Sequence, residues 1–228
     1  LNGEKTVVIN CGIADYYIVI ATAGPGKGRA GLEAFVVDGS LRGVACEPRR
    51  EALCFRNSPI GAMRFDNVAV PPEGAVGGEG SGYLLVMETL DKGRPLVGAC
   101  CVGAARRVFD IILAHAKSRK QFGIALYSFQ GVSFKLADFS VRIRAATLLY
   151  RECLSRIDRG EGFTMEASMA KLYASETLRD IASFGLELMG QRGYCEENAV
   201  HEIFHASQLL ISIDGSSNVQ RMVIASQL

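Results

Sequence analysis

Two segments near the C-terminus contain residue types that could do chemistry, and the first is an HExxH sequence. In His201-Glu202-Ile203-Phe204-His205 the two histidines are four residues apart, so they share a face if the segment is helical. Such a pair can hold a zinc ion while the glutamate activates water, as in a zinc hydrolase. A third protein ligand is needed, however, and Asp214 is the only acidic residue beyond His205. We therefore interpret both histidines as surface or helix-packing residues. Zinc hydrolysis remains a distant alternative, ranked third after the two hypotheses that are developed below.

The second segment places an aspartate directly before a glycine and two serines, in Asp214-Gly215-Ser216-Ser217-Asn218-Val219-Gln220-Arg221. A carboxylate in a dry pocket can remove a weakly acidic proton, because desolvation raises its pKa. Asp-Gly at a helix boundary is also a common turn or N-cap, so the residues alone leave both interpretations open.

Two further segments carry charged and aromatic side chains at defined spacing. The first is Asp91-Lys92-Gly93-Arg94-Pro95, where Asp91 and Arg94 could form an ordinary ion pair three residues apart. The second is Ser118-Arg119-Lys120-Gln121-Phe122-Gly123, with Gln130 eleven residues after Arg119. The guanidinium fork of Arg119 suits a pyrophosphate, but it could equally face the dipole at a helix C-terminus. Phe122 could be a binding surface or part of a core.

Together these segments resemble the FAD-dependent acyl-CoA dehydrogenase family. Six segments match the family in order and spacing along the whole chain: 1–5, 65–71, 91–95, 118–123 with Gln130, 167–171 and 214–221. The resemblance implies the last part of the family's middle β domain followed by its C-terminal helical domain. It leaves the family's N-terminal helical domain unmatched, so we expect the chain to be a piece of a longer protein.

The resemblance also implies a reaction, the α,β-dehydrogenation of an acyl thioester, with Asp214 as the base that removes the α-proton. The family has a glutamate there, although resembling enzymes with an aspartate base act on cyclic acyl-CoAs. Other relatives carry the base in the first long helix, where this chain has Gly93. By the same resemblance, Asp91, Arg94 and Gly215 lie near the substrate. The residues expected near an FAD held mainly by a neighbouring subunit are Arg119, Gln121, Phe122, Gln130, Glu187, Gln191, Ser216 and Asn218.

Several positions depart from the family pattern around the cofactor. Ile9 stands where the family offers a hydroxyl to the flavin, and Glu187 brings a negative charge towards a pyrophosphate. His205-Ala206 replaces an Arg-Asp pair. These changes support a second hypothesis, in which the chain is a degenerate, non-catalytic family member acting as a partner subunit.

The expected partners follow from the resemblance and from composition. The resemblance implies an acyl-CoA or acyl-carrier thioester, an electron-transfer flavoprotein or similar acceptor, and a homodimer or homotetramer, with a heteromer as an alternative. A net charge of +1 gives no reason to expect nucleic acid, and no apolar run reaches the roughly 18 residues of a membrane span. The seven cysteines include no CxxC pair, which favours thiols in a reducing compartment, the cytoplasm or a mitochondrial matrix.

The elements that must position these residues divide into two types. Short Val- and Ile-rich runs separated by turns predict strands up to about residue 75, with Asp38-Gly39 as a hairpin signal. After the glycine-rich stretch 74–82, apolar residues recur at spacings of three and four, which predicts helices over 83–117, 129–159, 165–189, 200–213 and 216–228. We therefore predict an α+β protein of two domains: a partial antiparallel β-barrel or sandwich over 1–76, then an up-down four-helix bundle over 77–228.

Overall fold

The structure, a computed structural model, describes residues 1–24, 26–48, 54–55, 57–195 and 198–228. The chain forms two compact units, Leu1–Thr89 and Leu90–Leu228. Strands dominate the first unit and helices the second, which confirms the predicted α+β class. The predicted domain boundary at residue 76 stays a prediction.

Two small antiparallel sheets make up the β unit. The strands are β1 (Gly3–Ile9), β2 (Tyr16–Thr22), β3 (Leu32–Asp38), β4 (Val44–Pro48), β5 (Ile60–Phe65) and β6 (Ala75–Val76). One sheet has the order β1-β5-β4 and the other the order β2-β3-β6. Alternate residues of the strands point inward, as the twofold repeat of a strand requires, and the core is formed by Cys11, Tyr17, Val19, Val37, Met63, Phe65 and Val68.

The predicted hairpin at Asp38-Gly39 is wrong. β3 pairs along its full length with the preceding strand, from Tyr16 opposite Asp38 to Thr22 opposite Leu32, and β4 pairs with β5 in the other sheet. The Asp38 carboxylate accepts hydrogen bonds from the backbone N–H of Ser40 at 2.8 Å and from its hydroxyl at 2.6 Å. The side chain thus closes a local turn that leads the chain out of one sheet and into the other.

Five helices follow, and each begins and ends within a few residues of its predicted bounds. They are α1 (Gly82–Ser118), α2 (Gln130–Asp158), α3 (Thr164–Met189), α4 (Ala199–Leu210) and α5 (Ser217–Ala225). Between α1 and α2 lies a short hairpin of two strands, β7 (Lys120–Gln121) and β8 (Ile124–Ala125). No helix in the described residues is long and apolar enough to cross a membrane.

The core of the helical unit lies between α1, α2, α3 and α4. Its buried side chains recur at the three- and four-residue spacing that defined the helices, for example Ala174, Leu178 and Ile181 on α3. At Gly185, α3 lies close to both α4 and α1. A β-carbon there would lie 2.9 Å from Val200 of α4 and 3.2 Å from Ile112 of α1. α3 also packs against α2 and α5, so it is the central helix that can support the turn before α5.

Candidate active site

Asp214 lies in a tight turn between α4 and α5. Its φ is +52°, and that of Gly215 is +96°, so two consecutive residues adopt backbone conformations that L-amino acids other than glycine rarely take. A β-carbon at residue 215 would lie 2.7 Å from Nε2 of Gln220, which leaves no room for a side chain. The turn therefore needs glycine at position 215, and it holds Asp214 in a conformation with an energetic cost.

Two buried side chains hold this turn through its carbonyl groups. The Lys171 ammonium, from α3, donates to the carbonyl oxygens of Ile211 at 2.7 Å and Gly215 at 2.9 Å. The Gln220 amide, from α5, donates to the carbonyl oxygens of Asp214 at 2.9 Å and Gly215 at 3.0 Å. Both Lys171 and Gln220 are fully buried. Both residues lie in segments that match the family, but no role was predicted for either from the sequence.

The electrostatic surroundings of Lys171 include the Asp214 carboxylate. Burial lowers the pKa of the Lys171 ammonium from its ordinary value, because desolvation penalises the charged form. The carboxylate of Asp214 acts in the opposite direction, as a Cys101 thiolate would, and the positive charge of Arg94 adds to the lowering. Burial also raises the pKa of the Cys101 thiol to about 12, so this group is a neutral neighbour at physiological pH.

The Asp214 carboxylate is half-buried and faces α1 at Gly93. A β-carbon at residue 93 would lie 3.0 Å from Oδ2 of Asp214, so the missing side chain makes space for the carboxylate. Among the described residues, no group donates a hydrogen bond to this carboxylate. Its lone pairs are thus available to accept a proton. The two positions at which the resemblance allowed a base, 93 and 214, lie side by side in this unit.

The predicted substrate residues Asp91 and Arg94 form a buried ion pair on α1. Nη1 of Arg94 donates to Oδ1 of Asp91 at 2.6 Å, and the Thr164 hydroxyl donates to Oδ2 at 2.7 Å. Arg94 is only 2% exposed, and its Nε is buried with no partner in the described residues. Both oxygens of Asp91 are thus occupied within the helical unit, as the ion-pair interpretation expects. A role of either residue towards substrate stays a prediction.

Four of the predicted cofactor residues meet in an open cleft of about 470 Å³. Arg119, Gln121, Glu187 and Gln191 line it, together with two residues that the sequence analysis did not select, His115 and Arg192. Burial lowers the pKa of His115, and the positive charges of Arg192 and Arg119 lower it further. The cleft therefore combines two guanidinium groups with amide donors, a set that suits a phosphate-bearing ligand.

Phe122 lies at the tip of the β7–β8 hairpin and is not a core residue. Its ring is 93% exposed and makes an edge contact with Phe129 at 6.4 Å between ring centroids. Gln130 is the first residue of α2, and Ser216 and Asn218 lie at the start of α5. These three residues are exposed and are not among those that line the cleft. The structure thus groups four of the eight predicted cofactor residues and leaves Phe122 projecting beside them.

The donor set fits the ADP portion of FAD better than it fits the flavin ring. Arg119, Arg192 and the glutamines offer donors to a pyrophosphate, and the exposed Phe122 ring offers a face to adenosine. Among the described residues that line this cleft, Glu187 is the one acidic side chain. In the β unit, Ile9 is 58% exposed and has no hydroxyl.

The histidines of the HExxH sequence face each other on α4. Nε2 of His201 lies 3.1 Å from Nε2 of His205, close enough for a hydrogen bond between the rings. Within the described residues, no group of three or more His, Cys, Asp or Glu side chains could hold a metal ion. All seven cysteines lie in the described part of the chain and are free.

Comparison with known proteins agrees with the resemblance in the sequence. The family model "Acyl-CoA dehydrogenase, middle domain" matches residues 1–68, and "Acyl-CoA dehydrogenase, C-terminal domain" matches residues 80–228. The probable acyl-CoA dehydrogenase FadE25 of Mycobacterium tuberculosis is 32% identical over all of this chain and 59% of the relative. Cyclohexane-1-carbonyl-CoA dehydrogenase of Geobacter metallireducens is 34% identical over all of this chain and 60% of the relative.

A solved structure shows the same architecture. Butyryl-CoA dehydrogenase from Megasphaera elsdenii matches 99% of this chain and 59% of its own length, with a TM-score of 0.94 and 32% identity. The chain therefore spans about three fifths of the length of the proteins that it resembles. Members of this family are FAD-dependent. The chain belongs to the acyl-CoA dehydrogenase family, and its sequence corresponds to the middle and C-terminal domains of that family.

Proposed function

We propose that the protein is an FAD-dependent acyl-thioester dehydrogenase in which Asp214 removes the α-proton of the substrate. One observation carries this proposal: a half-buried carboxylate without a hydrogen-bond donor among the described residues is held in a strained turn beside Gly93. Strained backbone that is tied down by buried side chains is characteristic of functional sites, where the geometry of one group matters. A carboxylate that only stabilised the turn would instead accept hydrogen bonds from it.

The chain's own residues perform the proton transfer and the orientation of the ligands. Asp214 takes the α-proton and holds it at a carboxylate oxygen. The turn fixes where that oxygen lies, through the bonds from Lys171 and Gln220 to its carbonyls. Arg119, together with the amide side chains of the cleft, would hold the pyrophosphate of FAD. When bound, FAD supplies the acceptor for the β-hydride.

The shorter side chain of Asp214 bears on the class of substrate. An aspartate carboxylate reaches about 1.5 Å less far than a glutamate carboxylate, the length of one C–C bond. The substrate α-carbon must therefore lie closer to the turn, or a bulkier acyl group must place the α-carbon within reach of the shorter carboxylate. A relative at 34% identity acts, by its name, on cyclohexane-1-carbonyl-CoA. We propose a cyclic or branched acyl thioester, carried by CoA or by a carrier protein, with an electron-transfer flavoprotein or similar acceptor taking the electrons.

We also propose that the helical unit associates with a second copy of the chain. Phe134, Val141 and Leu148 lie seven residues apart on α2 and are 61%, 68% and 55% exposed, so they form an apolar stripe along one face of the helix. Phe122 is also exposed. A cofactor site that is shared between subunits requires such a contact, and it would cover these side chains.

Sedimentation of a stripe variant tests this association. Phe134→Ser combined with Val141→Ser should shift the whole protein towards smaller species at micromolar concentration, because burial of two large apolar side chains is lost. Lys135→Ser, on an exposed position of the same helix, is the matched control and should sediment like the parent. A parent protein that is monomeric at micromolar concentration would contradict the proposal.

The flavin spectrum of the purified protein separates dehydrogenase from non-catalytic subunit. The proposal predicts an absorption band near 450 nm, FAD released on denaturation, and bleaching of the band when an acyl-CoA is added without oxygen. Arg119→Gln should weaken FAD binding at least about tenfold, since it removes a charged hydrogen bond, whereas Arg42→Gln, at an exposed position of the β unit, should not. A protein that binds no flavin, even when FAD is added, would support the partner-subunit alternative.

A further inference from the structure

We propose that Lys171 is a positioning residue for the proposed base: it fixes residues 211–215 through two carbonyl groups and so determines where the Asp214 carboxylate lies. The catalytic consequence rests on the proposed function, whereas the mechanical role does not. No role was predicted for this lysine from the sequence.

The turn needs donors from outside itself. The last carbonyl groups of a helix have no partner within that helix, and a buried carbonyl without a donor is costly. Lys171 lies on α3, the central helix of the unit, and its ammonium bridges the oxygens of Ile211, next to the end of α4, and Gly215, just before α5. One side chain thus connects a rigid helix to both ends of the segment that carries Asp214.

Burial of a lysine ammonium at this position is energetically unfavourable. Lys171 is fully buried, and no carboxylate of a described residue lies within ion-pairing distance of its ammonium. Burying an ammonium costs several kcal/mol unless its hydrogen bonds and nearby charges compensate. The charged groups that face it are the carboxylates of Asp214 and Glu176 and the guanidinium of Arg94, and the neutral thiol of Cys101 lies beside them. The Asp214 carboxylate attracts the ammonium, which gives a cation at this position a role that a neutral donor could not fill.

Other hydrogen bonds still hold the turn when Lys171 is replaced. Gln220, on α5, donates to the carbonyl oxygens of Asp214 and Gly215. Lys171→Met preserves most of the volume and apolar stem of the side chain but removes the charge and both hydrogen bonds. We therefore expect this variant to fold, with the turn loosened rather than lost.

A double-mutant cycle on turnover tests the coupling in the whole protein loaded with FAD. Four proteins are compared: the parent, Lys171→Met, Asp214→Asn and the double variant. A displacement of the base by about 1 Å can cost on the order of 100-fold, so Lys171→Met should lower kcat by about 10- to 100-fold. KM should change by much less. In the Asp214→Asn background, Lys171→Met should change kcat by less than about twofold, because a residue that acts through Asp214 has no effect when the base is gone.

Hydrogen exchange gives a readout that does not depend on activity. Lys171→Met should accelerate exchange of the amides in residues 211–216 at least about tenfold, which is what a local loss of about 1.4 kcal/mol produces. Core amides such as those of Ile112 and Leu178 should be unchanged. Lys135→Met, on exposed α2, is the charge-removal control. If the methionine variant does not fold, Lys171→Gln replaces it in both measurements, because glutamine keeps a hydrogen-bond donor without the charge. Lys171→Gln should also lower kcat.

The outcomes separate this inference from the proposed function. Equal losses of kcat in both backgrounds, no loss at all, or unchanged exchange in the turn would each overturn the positioning role. If Asp214→Asn leaves turnover intact, the base assignment fails instead, and exchange alone then decides whether Lys171 holds the turn.

Discussion

Gly215→Ala tests whether the backbone of the turn, rather than the carboxylate alone, makes the site. Gly215 has a φ of +96°, and a β-carbon there would lie 2.7 Å from Nε2 of Gln220 and 3.2 Å from Val219. The alanine must therefore adopt a disfavoured backbone conformation and also push the Gln220 amide away from the two carbonyls that it holds.

The magnitude follows from these two costs. A non-glycine residue in the left-handed region costs about 1–2 kcal/mol. Loss of one or two hydrogen bonds from Gln220 costs about 1 kcal/mol each. The lower entropy of unfolded alanine offsets about 0.4–1 kcal/mol. The net destabilisation is about 1–3.5 kcal/mol, which corresponds to a fall of about 2–14 °C in Tm for a chain of this length.

Thermal melting followed by circular dichroism, at one scan rate, measures the effect in the whole protein. Gly103→Ala is the matched control. Gly103 lies on an exposed part of α1, and a β-carbon there would meet no atom within 4 Å. In a helix, alanine is favoured over glycine by about 0.5–1 kcal/mol, so the control should raise Tm by about 1–4 °C.

The two variants should therefore move Tm in opposite directions. Gly215→Ala should also lower kcat by at least about tenfold per folded molecule, because it displaces Asp214. A stable Gly215→Ala protein with the parent's turnover would refute the argument that this backbone conformation fixes the base.

Two further predictions follow from the same unit. Gly93→Ala places a β-carbon 3.0 Å from Oδ2 of Asp214, so the carboxylate must shift by a few tenths of an ångström. Steady-state kinetics should show kcat reduced about tenfold, while Tm should not fall, because alanine is favoured over glycine in a helix. An unchanged kcat would contradict the proximity. Burial and two arginines lower the pKa of His115, so the unfolded state binds protons more readily and stability falls as pH drops below about 6.5. His115→Gln should flatten the fall in Tm between about pH 7 and pH 5, and an identical fall in parent and variant would contradict the assigned shift.

The elements could be predicted from sequence because their patterns are local. The three- and four-residue spacing located all five helices, and Gly190, with a positive φ, ends α3 where the sequence indicated. The hairpin at Asp38-Gly39 failed because a turn signal reports a change of direction and not which strand becomes the partner. Strand pairing depends on contacts that are distant in sequence.

Candidate site residues could be selected from the sequence only where the type of residue itself indicates a chemical role. Asp214 could be selected because a carboxylate before a glycine matched a family pattern, and Arg119 because a guanidinium suits a pyrophosphate. The supporting role of Lys171 could not be predicted, since a lysine in a helix is usually exposed and its burial depends on how α3 packs. The proximity of Gly93 to Asp214 likewise depends on how α1 lies against the turn. His115 and Arg192 line the same cleft as Arg119 because of the tertiary packing, which the sequence does not indicate.

The reductive half-reaction of Asp214→Asn tests the central claim most directly. Asparagine has nearly the volume of aspartate and tolerates a positive φ, so fold and flavin content should be retained. The measurement is the rate of flavin bleaching near 450 nm after anaerobic mixing with an acyl-CoA. The acyl-CoA is cyclohexane-1-carbonyl-CoA or butyryl-CoA, depending on which one reduces the flavin of the parent protein. The account predicts a rate lower by about 10²–10⁴-fold at equal flavin content, as for loss of a general base. Bleaching at the parent's rate would contradict the assignment of Asp214 as the base.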